Sequence, residues 1–101
     1  MAIVVKADFP SISPEAYQKT HADLLSDGRP DGMIAHCCSA KDGGISIIDI
    51  WESQEHFQAF AATKIAAVMQ KHSIEGGPEN LVIDELINAD AFDFQGTVRS
   101  S

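Results

Sequence analysis

Residues 45–53 read Ile-Ser-Ile-Ile-Asp-Ile-Trp-Glu-Ser, and this stretch decides the fold. Its isoleucines and its tryptophan are typical of a β-strand. The serine that closes it is a favoured N-cap residue, which predicts that a helix begins directly after the strand. Isoleucines fall on both sides of the alternating pattern, so we expect both faces of this strand to be buried.

A second predicted strand precedes this one and is joined to it by a tight turn. Residues 32–40 (GMIAHCCSA) form the earlier strand, and residues 41–44 (KDGG) carry the glycines that such turns need. Two strand-like runs with so short a link predict a β-hairpin.

The remaining elements lie on either side of this hairpin. Residues 2–9 (AIVVKADF) predict a first strand, and Ser13 followed by Pro14 predicts the start of a helix that ends near Gly28 and Pro30. Apolar residues at three- and four-residue steps from Phe57 to His72 predict the second helix. Residues 80–88 (NLVIDELIN) predict the last strand.

The order β-α-β-β-α-β predicts an α+β fold of the ferredoxin-like kind. In that fold a four-stranded antiparallel sheet carries both helices on one face. We place this domain at residues 1–90 and a C-terminal tail at residues 91–101. The sheet face without helices needs a cover, and a second copy of the chain is the simplest one, so we expect a homodimer.

Composition excludes several classes of function. The chain of 101 residues has a net charge of −8, and its seven basic residues are scattered, so we expect no binding to nucleic acid. No segment approaches the roughly 20 apolar residues of a membrane span, and we expect no membrane association. The N-terminus lacks the pattern of a signal peptide, and the two cysteines, Cys37 and Cys38, are adjacent. These features predict a cytoplasmic protein.

A family resemblance rests on the junction between the central strand and the second helix. Residues 48–53, followed by Glu55, Phe57 and Phe60, resemble the W-E-S-x-E-x-F junction of the antibiotic biosynthesis monooxygenase-like (ABM) proteins, which belong to the dimeric α/β-barrel superfamily. The resemblance spans about residues 2–90. It implies two sheets packed face to face in a dimer and, in the enzymes, a pocket between each sheet and its own helices.

The resemblance leaves several activities open. Enzymes of this family include cofactor-independent monooxygenases of aromatic or polyketide-like compounds, polyketide cyclases and heme-degrading enzymes. The heme-degrading members carry a tryptophan in the second helix and a histidine about two and a half turns later. This sequence has Phe60 there, then Gln70 with His72 nearby. We therefore expect no heme and no other cofactor.

His36 and Asp49 are the candidate catalytic residues. If Ala40 pairs with Ile45 across the turn, His36 lies directly opposite Asp49, with their Cβ atoms about 5 Å apart. A carboxylate at that distance orients an imidazole and stabilises its protonated form, as a general base requires. The alternative is a polar pair with a purely structural role.

Four further residues are candidates for substrate binding, and each has a structural alternative. Trp51 shares the strand face of Asp49, while Tyr17 and His21 lie one turn apart on the first helix. Phe60 belongs to the apolar stripe of the second helix. For Trp51 a core or dimer-interface position is the more common role, and Tyr17 can simply be the hydrophobic-staple partner of Ile12. The four histidines form no H-x-x-x-H pattern, so we expect no metal site.

Two classes of function remain open at this level. One is a small enzyme, a cofactor-independent monooxygenase or a cyclase, acting on an aromatic or polyketide-like molecule. The other is a non-catalytic dimeric module that binds a small ligand or a partner. A packed space between sheet and helices, without a cavity of roughly 300 Å³, would favour the binding module. An open pocket into which His36 points would favour the enzyme.

Overall fold

The computed structural model describes residues 1–90, and its elements follow the predicted order. They are β1 (Ile3–Phe9), α1 (Pro14–Leu24), β2 (Met33–Lys41), β3 (Gly44–Trp51), α2 (Gln54–Phe60), a π turn (Ala61–Ile65), α3 (Ala66–Lys71) and β4 (Glu79–Glu85). The predicted tail at residues 91–101 lies outside the described residues.

The four strands form one sheet in the order β2-β3-β1-β4, and each neighbouring pair is antiparallel. This is the ferredoxin-like arrangement that the sequence predicts. The sheet has an inner face, which the helices cover and to which Val5, Asp49 and Trp51 belong, and an outer face, to which Val4 and Ile48 belong. The predicted fold class is confirmed.

The turn between β2 and β3 fixes the register of the hairpin. Asp42 and Gly43 both have positive φ, 50° and 84°, as a two-residue type I′ turn requires. Ala40 therefore pairs with Ile45, and His36 pairs with Asp49. The register that places the two candidate catalytic residues opposite each other is confirmed.

Local capping positions both helices. The Ser13 hydroxyl accepts a hydrogen bond from the Ala16 amide at 3.1 Å, and the Ser53 hydroxyl accepts one from the His56 amide at 3.1 Å. Helix α1 ends at Leu24, earlier than the predicted end near Gly28 and Pro30. The second helix contains the π turn that the sequence analysis did not predict, and β4 ends at Glu85 instead of residue 88.

The core lies between the inner face and the helices. Ile3, Val5, Met33 and Trp51 form its centre, and Phe57, Phe60 and Ile83 pack against them. Within residues 1–90 nothing covers the outer face completely, because Ile48 remains 46% exposed and Val82 43% exposed. The expectation that both faces of β3 are buried is therefore not met within a single chain.

Candidate functional site

A chain of hydrogen bonds crosses the inner face of the sheet from β3 to α1. Its centre is the predicted pair, with Nδ1 of His36 2.6 Å from Oδ1 of Asp49. Nε2 of His36 lies 2.6 Å from the Tyr17 hydroxyl. The indole N–H of Trp51 donates to Oδ2 of Asp49 at 3.3 Å. Four side chains from three elements thus form one continuous network.

The partners of His36 determine which of its nitrogens carries the proton in the neutral ring. The carboxylate of Asp49 accepts only, so Nδ1 carries the proton and donates it. Nε2 is then an acceptor, and the Tyr17 hydroxyl donates to it. Every donor in the chain therefore points towards Asp49, which receives hydrogen bonds from His36 and Trp51.

The Tyr17 end of the network is crowded with aromatic rings. The rings of His21 and His36 are stacked with centroids 5.9 Å apart, and Tyr17 contacts His21 at 5.4 Å. Burial raises the pKa of Tyr17 above its usual range, and the neighbouring Cys38 and Asp49 add to the effect. Burial also raises the pKa of the Cys38 thiol. The phenol therefore stays neutral and serves as a hydrogen-bond donor to His36.

A cavity of about 320 Å³ lies between the inner face and the second helix. Its sheet wall includes Val5, Ile47 and Asp49, and its helix wall includes Phe57, Ala61, Ile65, Ala66 and Met69. Residues 76–78 (GGP) also line it. Among the described residues that line it, Asp49 is the one ionisable side chain. The network thus meets the cavity at Asp49.

The structure brings the six predicted site residues together but gives them different positions. His36, Asp49, Tyr17 and His21 form the network and its aromatic surroundings. Trp51 is completely buried, and Phe60 packs on it with ring centroids 5.4 Å apart. Of the six, Asp49 alone lines the cavity. Trp51 and Phe60 therefore lie in the core behind the site, as their structural alternative predicted.

Sequence reasoning did not identify most of the helix wall, or the segment at residues 76–78, as parts of the candidate site. Ala61 and Ala66 carry little signal in a sequence, because alanine is common on every helix face. As a pattern, the run Gly76-Gly77-Pro78 predicts only a break between two elements. Its position against the cavity depends on where the preceding helix ends, which the sequence pattern defines poorly.

The other two histidines have structural partners away from the cavity. Nε2 of His72 lies 2.6 Å from Oδ2 of Asp23, and this contact links the end of α3 to α1. Nδ1 of His56 lies 2.6 Å from the hydroxyl of Ser53, the N-cap residue of its own helix. Across residues 1–90, no three histidine, cysteine or acidic side chains gather closely enough to hold a metal ion. No helix in the same residues is long and apolar enough to cross a membrane.

Comparison with known proteins gives matches in structure alone. No family model matches this chain, and no curated protein matches its sequence significantly. A crystal structure of an antibiotic biosynthesis monooxygenase homologue from Chloroflexus aurantiacus matches 90% of this chain and 98% of its own length, with a TM-score of 0.66 and 10% identity.

Two further solved structures extend this comparison. SnoaB, a cofactor-independent oxygenase from Streptomyces nogalater, is 13% identical, with a TM-score of 0.60 over 87% of this chain and 94% of its own. A variant of MhuD with manganese protoporphyrin IX in its active site is 18% identical, with a TM-score of 0.56 over 90% and 99%. At these identities the likeness establishes the fold, and the chain has the fold of the antibiotic biosynthesis monooxygenase-like proteins.

Proposed function

We propose that this protein is a cofactor-independent monooxygenase of an aromatic, polyketide-like molecule, with Asp49 as the base that contacts the substrate. One observation carries the proposal: an unbroken hydrogen-bond network ends on a single carboxylate in the wall of an otherwise apolar cavity. Binding sites for small molecules combine apolar walls with a few placed polar groups in this way.

The roles within the network follow from its geometry. Oδ1 of Asp49 accepts the short bond from His36, whereas Oδ2 accepts, from within residues 1–90, the longer bond from Trp51. A carboxylate oxygen has two lone pairs, so Oδ2 keeps the capacity to accept a proton from a substrate. His36 holds the carboxylate in place, and Tyr17 holds His36. From sequence alone His36 is the expected base and Asp49 its orienting partner, and the position of the cavity favours the reverse.

The chemistry needs molecular oxygen and no bound cofactor. Asp49 removes a proton from a phenol or an anthrone, and the resulting anion transfers one electron to O₂. The two radicals combine through a new C–O bond, and the peroxide then loses water to leave a carbonyl. An anthrone methylene and one O₂ thus become a quinone carbonyl and one H₂O.

Two other functions remain outcomes of the same test. A cyclase would use Asp49 to remove a proton next to a carbonyl and would consume no oxygen. A binding module would hold the ligand unchanged. A cavity of about 320 Å³ argues against a fully packed, non-catalytic domain, and the candidate catalytic residue that lines it is Asp49, not His36. Porphyrin binding, which MhuD shows, is not proposed here, since none of the described residues that line the cavity is a histidine.

The test measures oxygen consumption with a panel of anthrones and quinols. We expect the wild-type protein to consume one O₂ per substrate, with the spontaneous rate subtracted. Asp49→Asn should lower the rate by about 10²–10⁴-fold, the usual contribution of a general base. His56→Asn, a histidine outside the network, is the matched control. An Asp49→Asn variant that folds and keeps the wild-type rate would contradict the assignment.

We also propose that the protein is a homodimer, formed through the outer face, and that it acts in the cytoplasm. Exposed Ile34, Ile48 and Val82 give this face an apolar character that a second copy would remove from water. The support for a cytoplasmic location is the pair of free cysteines, Cys37 and Cys38, which suits a reducing compartment.

A further inference from the structure

The helix wall of the cavity is built by a π turn. The second helix runs without a break through the π turn, because Phe60, Ala61 and Ala66 all keep right-handed helical φ and ψ. The amide of Ala66 donates to the carbonyl of Ala61, which is the i to i+5 bond of a π helix. Single π turns inside α-helices frequently occur at functional sites.

This turn places two small side chains on the same wall. In an α-helix with 3.6 residues per turn, residues five apart lie about 140° apart around the axis. The i to i+5 bond instead brings Ala61 and Ala66 towards the same side of the helix, and both line the cavity. Two methyl groups therefore form part of the wall that the helix presents towards the sheet.

We propose that Ala61 and Ala66 determine the size of the ligand that the cavity accepts. Larger side chains at these positions would project into the space between the helix and the sheet wall that carries Asp49. Neighbouring Ala62 and Ala67 are exposed, as is Ala66, but unlike Ala66 they do not line the cavity. The proposal rests on the proposed function only in taking this cavity as the ligand site, and it requires no catalysis.

The test compares two fluorescent neutral arenols, 2-naphthol with two fused rings and 1-hydroxypyrene with four. Each is titrated against the wild type and the Ala61→Leu and Ala66→Leu variants. We expect both variants to bind 1-hydroxypyrene about tenfold more weakly or worse, since a leucine in a filled cavity overpacks it. Their affinity for 2-naphthol should remain within about threefold of the wild type, because the smaller ligand needs less of the space. Ala62→Leu and Ala67→Leu are the matched controls and should bind both arenols normally.

Three results would overturn the proposal. They are wild-type affinity for 1-hydroxypyrene in both leucine variants, an equal loss in the exposed controls, and wild-type protein that binds neither arenol. Circular dichroism identifies a variant that fails to fold, and Ala61→Val and Ala66→Val then provide a second test. Valine adds less volume than leucine, so folded valine variants should weaken 1-hydroxypyrene binding in the same direction, and wild-type affinity in both would also overturn the proposal. Size selection without oxygen consumption would reject the monooxygenase and leave this inference standing.

Discussion

Tyr17 completes the network by donating a hydrogen bond to His36 at 2.6 Å. Its neighbours at the site are His21, which stacks on the imidazole, and Cys38, whose thiol is half-buried. A phenol whose pKa is raised by burial keeps its proton across the physiological range. At the scale of single residues, Tyr17 is therefore a positioning residue for His36.

Tyr17→Phe should remove this donor with little change in shape. We expect the free energy of unfolding to fall by about 1 kcal/mol, the usual net value of one hydrogen bond. The ¹⁵N resonance of His36 Nε2 should also move, because the nitrogen loses its donor. Urea unfolding and ¹⁵N-detected NMR of the imidazoles measure the two effects, with the resonances of His56 as the internal control. An unchanged His36 resonance would show that the hydroxyl does not bond to it.

At the scale of single residues, the sequence predicts that His36 faces Asp49, but it does not predict the hydrogen bond that Tyr17 adds to this pair. His36 and Asp49 belong to one hairpin, so a two-residue turn was enough to place them opposite each other. The bond from Tyr17 depends on how α1 packs over β2, and nothing in the local pattern defines that packing. The catalytic role of the pair stays a prediction until a substrate is tested.

Between elements, Asp8 on β1 joins the ends of two other strands. Its carboxylate accepts hydrogen bonds from Lys41 at 2.8 Å and from Asn80 at 2.9 Å. The bond from Lys41, followed by that from Asn80, lowers the pKa of Asp8 to about 2. Because the usual value is 3.8, the stabilisation is present above that pH and is lost as the pH falls towards about 2.

Asp8→Asn should therefore flatten the pH dependence of stability in this acid range. We expect the wild type to lose more stability than the variant between pH 5 and pH 2, because only the wild type must protonate a carboxylate with a lowered pKa. Chemical unfolding at several pH values measures the difference. Asp84→Asn, a change at an exposed position of the same sheet, is the control. Parallel curves for wild type and Asp8→Asn would contradict the prediction.

The elements themselves were predictable where their signals are local. The caps at Ser13 and Ser53 and the turn at Asp42 are encoded within a few residues, and the structure contains all three. The π turn was not predictable, because apolar periodicity places Lys64 and Ile65 about equally well on the helix stripe. Tertiary contacts decide between them, and Lys64 pairs with Asp27 while Ile65 lines the cavity.

For the whole molecule, the outer face leads to a test of assembly. Ile48 lies on this face in the middle of the sheet and is 46% exposed in one chain. We expect the wild type to sediment as a dimer and Ile48→Asp to sediment as a monomer at the same concentration, because a buried unpaired charge opposes association. Ala67→Asp, on an exposed helix surface, should leave the dimer intact. A monomeric wild type would contradict the proposed assembly.

Edge strand β2 carries two thiols that are one peptide bond apart and point to opposite sides of the sheet. Cys37 shares the outer face with Ile48 and is exposed, whereas Cys38 is half-buried beside Tyr17, and burial raises its pKa. A reagent that modifies thiolates from solution therefore reaches the exposed Cys37 more easily than the half-buried Cys38. The rate at Cys37 records whether another chain covers the sheet, and the rate at Cys38 records how tightly the helices close over the network. One short peptide thus provides a separate chemical reporter for assembly and for the candidate site.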